Sequence, residues 1–179
     1  MEVGQCLPRI ILPAIDGSEF DSKSLKGKKY LITFFRFATC PLCKLRVAQL
    51  AKLKAELVGN FEVVTIFESE IEHLKKHANK QIAIFPILAD YNRQYYELFG
   101  VKKSLLGLFR GIPFRLPAVM KAMLSGYFPQ EISSRFFSMP LSLLVDEQGI
   151  IRSIYNGKDA GDHMPLEQII KFAKKGAGD

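Results

Sequence analysis

The sequence has no tryptophan, three histidines and three cysteines in 179 residues. An odd cysteine count, with two of the three close together, is no disulfide framework and excludes the small secreted scaffolds that depend on one. Long apolar runs are missing too. The longest stretch without a charge is the ten residues 136–145, about half of the roughly 20 that a membrane-spanning helix requires. Glycine follows no three-residue period, which excludes a collagen-like chain. Acidic residues are absent from 98–130, where Lys102, Lys103, Arg110, Arg115 and Lys121 supply five of the seven net positive charges. A secretory pattern is also lacking: Glu2 stands where a basic region would be, and Pro13 cuts the apolar run that starts at Ile10. The expected compartment is therefore a reducing cytoplasm.

What is present is an ordinary globular balance, 48% hydrophobic and 24% charged. It excludes a wholly disordered chain, and the length fits one domain over 1–179 carrying an insertion. Asp16-Gly17 reads as the turn of a short hairpin. The apolar, β-branched run Tyr30 to Phe35 reads as a strand buried on both faces. Pro41 suits the first turn of a helix that extends to Val58, with Val47, Leu50, Ala51, Leu57 and Val58 on its inner face. Phe61 to Phe67 is a strand, Ile71 to Ala78 a helix, and Ile82 to Leu88 a strand that Pro86 places at an edge or a bend. Tyr91 to Phe99 is a helix stopped by Gly100. Leu141 to Val145 and Ile150 to Tyr155 form a hairpin about the turn Asp146 to Gly149, and Leu166 to Lys175 is a closing helix. The alternation predicts an α/β sandwich. Residues 102–138 break the rhythm with Gly107, Gly111, Pro113, Pro117, Gly126 and Pro129, which predicts broken helices.

The chemistry concentrates in Cys40-Pro41-Leu42-Cys43 at the strand-to-helix junction. Two cysteines three apart are one helical turn apart, close enough for a disulfide between them. Free N–H groups and the helix dipole stabilise a thiolate there. Cys40 is expected to be exposed and nucleophilic, and Cys43 to lie deeper and resolve the mixed disulfide. The competing reading is half of a zinc site. It would need His73 and His77, which follow Cys43 after 29 residues, against the usual spacing of about 12–15. An inert pair of core cysteines is the other bland reading.

Four stretches together resemble one group of proteins. They are Leu12-Pro13 with Asp16-Gly17 and Leu25-Lys26-Gly27-Lys28; Phe34-Phe35-Arg36-Phe37-Ala38-Thr39-Cys40-Pro41-Leu42-Cys43; Phe85-Pro86-Ile87-Leu88-Ala89-Asp90 leading to Phe99-Gly100-Val101; and Leu143-Leu144-Val145-Asp146-Glu147-Gln148-Gly149. The chain resembles a thioredoxin-fold, peroxiredoxin-like protein of the alkyl hydroperoxide reductase/thiol-specific antioxidant (AhpC/TSA) superfamily. That resemblance implies a three-layer sandwich, with a central mixed sheet flanked by helices and 102–138 inserted into it. It implies an oxidoreductase with no cofactor, acting on disulfides or hydroperoxides and renewed by a thiol electron donor.

Departures from the family weigh the choice of chemistry. Thr33 and Phe37 stand where peroxiredoxins carry a Pro and a Thr, and Pro140 stands where they carry an Arg. Met139-Pro140 resembles the cis-proline site that thioredoxins turn toward substrate. These points favour dithiol–disulfide exchange at Cys40 and Cys43, with Thr39, Pro41, Arg36 and Pro140 in support. A two-cysteine thiol peroxidase using Cys40 is the alternative, and a non-catalytic metal- or partner-binding module is the other. Thioredoxin's buried Asp and its Trp are replaced by Phe34 and Thr39, which leaves the proton partner of Cys43 open. Glu68 is the nearest candidate, although a solvated capping acid beside Glu70 and Glu72 is the preferred reading. Arg36 ends the strand that aims at the site and is the expected thiolate partner; Arg46 is read as surface. Cys6 is read as a bystander, a remote resolving thiol only if the opening segment crosses the site. The basic, apolar segment 102–138 is expected to cover the sheet edge or a homodimer partner, to form a lid, or to meet an anionic membrane surface. No nucleic-acid motif accompanies its charge.

Overall fold

The computed structural model describes residues 1–57, 59, 61–77, 84–104, 116, 117, 120, 121, 123, 124, 126 and 137–174. Five strands form one mixed sheet in the order β5-β4-β3-β6-β7. They are β3 (Lys29–Phe34), β4 (Phe61–Phe67), β5 (Ile87–Ala89), β6 (Leu141–Val145) and β7 (Ile151–Asn156). The first three run parallel, β6 runs against β3, and β7 runs against β6. A separate hairpin pairs β1 (Ile11–Pro13) with β2 (Glu19–Asp21) about the Asp16-Gly17 turn. The helices are α1 (Pro41–Glu56), α2 (Ile71–His77), α3 (Gln94–Leu98) and α4 (Leu166–Lys174).

All six residues of β3 are buried, as expected of a strand covered on both faces. Side chains alternate across a strand, so β3 feeds two cores. Tyr30, Ile32 and Phe34 join Val64, Ile66, Leu88, Tyr96, Phe99, Leu141 and Leu143 on the face covered by α3 and the hairpin. Leu31 and Phe35 join Cys43, Val47, Leu50, Val63, Phe67, Leu74, Leu144 and Ile169 under α1, α2 and α4. This gives the three layers of a thioredoxin-like α/β sandwich.

Strands β4 and β6 have the bounds expected from the sequence. Pro86 precedes an edge strand shorter than expected, because pairing with β4 begins only at Ile87. Residues 82 and 83 lie outside the described residues. α3 begins at Gln94 rather than at Tyr91 because Asp90 accepts the N–H groups of Gln94, Tyr95 and Tyr96. That fixes the first turn of the helix there.

Most of 102–138, and with it the expectation of broken helices, lies outside the described residues. Its root does not. Ser104 N–H donates to Phe137 O, and Met139 N–H donates to Lys102 O, each at 2.8 Å. The segment therefore leaves and rejoins the fold beside the start of β6. Among the described residues no helix is long and apolar enough to cross a membrane.

Candidate functional site

The pairing of Phe34 with Leu141 and Ile66 marks the end of β3. The chain then continues through residues 35–39 to α1. Phe35 N–H still reaches Ile66 O at 2.7 Å, and Glu68 N–H holds Arg36 O at 2.9 Å. Two hydrogen bonds to the β4 side thus fix this loop before it turns into the helix. Pro41 occupies the first turn of α1, where a missing N–H costs nothing. Cys40 is the N-cap, and its Sγ accepts the Cys43 N–H at 3.4 Å. Arg36 Nη1 donates to the same sulfur at 3.8 Å.

This geometry separates the two thiols. Burial by itself pushes Cys40 up. The Cys43 thiol donating to it, the Arg36 charge and the N–H groups of Cys43 and Leu42 outweigh burial and bring it down to about 6. Burial pushes Cys43 well above the ordinary value, and its hydrogen bond with Cys40 and the charge on that sulfur push in the same direction. Near neutral pH the pair is therefore a Cys40 thiolate beside a Cys43 thiol, with no bond joining them in this structure. Arg36→Met is accordingly expected to raise the Cys40 midpoint by about one unit. The pH dependence of alkylation measures it, and an unmoved midpoint would remove Arg36 from the site.

Cys40 is not exposed as the sequence suggested. It is 1% accessible, and Cys43 is fully enclosed. Thr39 is also fully buried, and its Oγ1 has no hydrogen-bond partner among the described residues. Pro140 lies at the same end of the sheet, one residue before β6. Its carbonyl accepts Gly157 N–H at 2.8 Å, and no cis peptide occurs among the described residues. The sequence leaves the isomer of the Met139-Pro140 bond open, and here it is trans.

Two other readings change, and the bystander reading of Cys6 does not. Arg46 is buried rather than on the surface, donating to Met164 O and to Gln49 Oε1. It ties α1 to the segment before α4. Glu68 is not a solvated cap: it is 1% accessible and forms an ion pair with Arg93. Cys6 pairs with Ile150, beside the Asp146–Gly149 turn at the far end of the sheet, so the opening segment does not bring it to Cys40.

His163 was not singled out in the sequence. Its ring meets the edge of Phe35 with centroids 5.3 Å apart, on the core face that holds Cys43. The histidines that were singled out, His73 and His77, lie against each other with ring centroids 4.5 Å apart and the rings tilted by 58°. Among the described residues no group of three or more His, Cys, Asp and Glu side chains could hold a metal.

Thr33 and Phe37 have other work here. Thr33 Oγ1 and Ser142 Oγ share a hydrogen bond of 3.0 Å across the sheet, in a strand where proline would remove a ladder bond. The Phe37 ring lies 5.3 Å from the Arg36 guanidinium carbon.

Comparison with known proteins bears on this site. The sequence model of the AhpC/TSA family matches residues 3–154. Peroxiredoxin Bcp of Escherichia coli K12 is 29% identical over 110 residues, covering 60% of this chain and 70% of that protein. Among solved structures, peroxidoxin BcpB of Mycobacterium tuberculosis superposes with a TM-score of 0.64 at 18% identity, covering 97% of both chains. A putative thiol:disulfide interchange protein DsbE of Chlorobium tepidum superposes with a TM-score of 0.61 at 16% identity, covering 97% of this chain and 99% of that one. These two structures share the fold.

Proposed function

The chain belongs to the AhpC/TSA family of thiol oxidoreductases, and we propose that within it this protein is a two-cysteine peroxidase in which Cys40 attacks and Cys43 resolves. The burial of a sulfur held as thiolate carries this reading. At 1% accessibility, Cys40 admits a small oxidant far more readily than a protein disulfide, whose attack would need the loop opened.

The steps follow from the two protonation states. The Cys40 thiolate attacks the terminal oxygen of a hydroperoxide and displaces hydroxide or an alkoxide, which takes a proton from solvent and departs as water or an alcohol. The O–O bond breaks, an S–O bond forms, and sulfur gives up two electrons to become a sulfenic acid. Arg36 faces the sulfur and balances negative charge on the departing oxygen. The Cys43 thiol then attacks the sulfenic sulfur, hydroxide leaves as water with the Cys43 proton, and a Cys40–Cys43 disulfide forms. An external dithiol donor reduces that disulfide by exchange, so dithiol–disulfide exchange is the second half of the cycle. Thr39 supplies a buried hydroxyl next to the attacking residue, and Pro41 starts the helix that presents it. Pro140 immediately precedes β6 at this end of the sheet and holds Gly157 through its carbonyl.

Reduced protein given one equivalent of hydrogen peroxide is expected to consume it and to end with a Cys40–Cys43 disulfide by mass spectrometry. Added dithiol then restores both thiols. Consumption without that disulfide would remove Cys43 from the mechanism. No consumption, with ready exchange against model disulfides, would leave an exchange enzyme alone.

A further inference from the structure

A second buried cluster lies at the cysteine end of the sheet, and the chemistry above does not use it. Glu68 follows β4, Arg93 opens α3, and Ser138 closes the 102–138 segment. Arg93 Nη1 pairs with Glu68 Oε2 and donates to Ser138 Oγ at 3.0 Å. Ser138 Oγ in turn donates to Glu68 Oε2 at 2.5 Å. The hydroxyl thus spends its one donor and an acceptor position inside the cluster. Glu68 and Ser138 are almost wholly enclosed.

Arg93 reaches this position with φ at +62°, the left-handed region that side chains other than glycine rarely enter. Its guanidinium lies 5.4 Å from the Tyr96 ring centroid. A buried ion pair is weak support for stability against apolar residues of the same size. A strained backbone that persists for such a pair points to a geometric role.

The cluster meets the cysteine loop at two points. Glu68 N–H holds Arg36 O, and the Tyr96 hydroxyl donates to the carbonyls of Phe35 and Ile66. Glu68 therefore joins the root of the inserted segment, through Ser138, to the residue whose guanidinium touches Cys40 Sγ. Neither end of this connection is close in sequence to the other.

We propose that Glu68, Arg93 and Ser138 form a positioning clamp that fixes the Arg36–Cys40 loop against the root of the 102–138 segment. The proposal rests on the reading of Cys40 as the attacking thiolate. With the clamp loosened, the Arg36 backbone is held less tightly and its guanidinium leaves the sulfur. The other groups facing Cys40 remain in place: the Cys43 thiol, the N–H groups of Leu42 and Cys43, and Lys44.

The test uses the full reduced chain with Cys6→Ser, which leaves Cys40 as the readily alkylated thiol. Iodoacetamide, an uncharged reagent, is followed against pH, with mass spectrometry confirming the modified residue. Arg93→Met and Ser138→Ala are compared with Arg93→Lys and with Arg152→Met. Arg152 pairs with the buried carboxylate of Asp146 at the opposite end of the sheet, so its loss controls for general loosening. Arg93→Met is expected to raise the Cys40 midpoint by about one unit, leaving roughly fivefold less thiolate at pH 6. Ser138→Ala and Arg93→Lys shift it less but in the same direction, and Arg152→Met leaves it unchanged.

Unmoved midpoints in folded Arg93→Met and Ser138→Ala overturn the clamp, as does an equal shift in Arg152→Met. Should Arg93→Met fail to fold, Ser138→Ala, which keeps both charges, carries the test. A parent protein whose midpoint sits at the ordinary cysteine value, about 8.5, would instead overturn the thiolate reading. That outcome is distinct from a low parent midpoint that the clamp variants fail to move.

Discussion

Cys40→Ser is expected to lower hydroperoxide consumption by on the order of a thousandfold or more, because a serine hydroxyl is un-ionised at neutral pH and is a weak nucleophile without a base to activate it. The fold should survive the change. Oxygen is smaller than sulfur, and a serine at the N-cap accepts the same backbone N–H that Cys40 Sγ accepts from Cys43. The loss would therefore be chemical and not structural, which an unchanged melting curve verifies. The pH profile of the parent protein makes the same point from the other side. The reactive species is the thiolate, and Cys40 is held down to about 6. Consumption should thus fall tenfold per unit below that midpoint and stay level above it. A cysteine at its ordinary value, about 8.5, would still gain about eightfold between pH 7 and 8. A rate that rises over that interval, or a Cys40→Ser protein as fast as the parent, would place the chemistry elsewhere.

The sequence made the frame of this molecule legible where the signal was local. β4 and β6 are apolar runs with sharp polar borders, and both have their expected bounds. Pro41 marks the helix start, and Asp16-Gly17 marks the hairpin, because proline and glycine restrict the backbone at their own positions. The C-x-x-C placed the two sulfurs one turn apart at a helix N-terminus, and the structure keeps them there.

What escaped the sequence was set by partners far along the chain. Arg46, nearly two turns along the helix from Cys40, looked like a surface residue. Its partner is the carbonyl of Met164, 118 residues away. Glu68 beside Glu70 and Glu72 resembled a solvated cap, but its partners are Arg93 and Ser138, the latter 70 residues away. Polar pairs of this range leave no period in the sequence, so nothing local distinguishes a buried carboxylate from an exposed one. The burial of Cys40 is of the same kind. A strand-to-helix turn fixes the direction of the sulfur, while packing into the buried cluster that also holds Phe37 and Val47 decides whether solvent reaches it.

Cys43→Ser is expected to separate the two halves of the reaction. The variant should consume one equivalent of hydrogen peroxide in a first burst and then turn over far more slowly than the parent. The reason lies in access. Once Cys40 is a sulfenic acid at 1% accessibility, an external thiol must open the loop to reach it. The Cys43 sulfur stands one helical turn away and already donates to the Cys40 sulfur. Forming a bond of about 2.05 Å between them needs only a side-chain movement. Without Cys43 the sulfenic acid persists, and excess peroxide carries it on to sulfinic acid, which a thiol donor does not reverse. Mass spectrometry should therefore find an adduct of two oxygens on Cys40 in the variant and a disulfide in the parent. The high pKa of Cys43 is consistent with this order, since a thiol kept protonated does not compete for the first oxidant. Steady turnover of Cys43→Ser at the parent rate, with any thiol donor, would mean that the donor reaches Cys40 directly. The C-x-x-C would then be a one-cysteine peroxidase site with a neighbouring thiol that only tunes it.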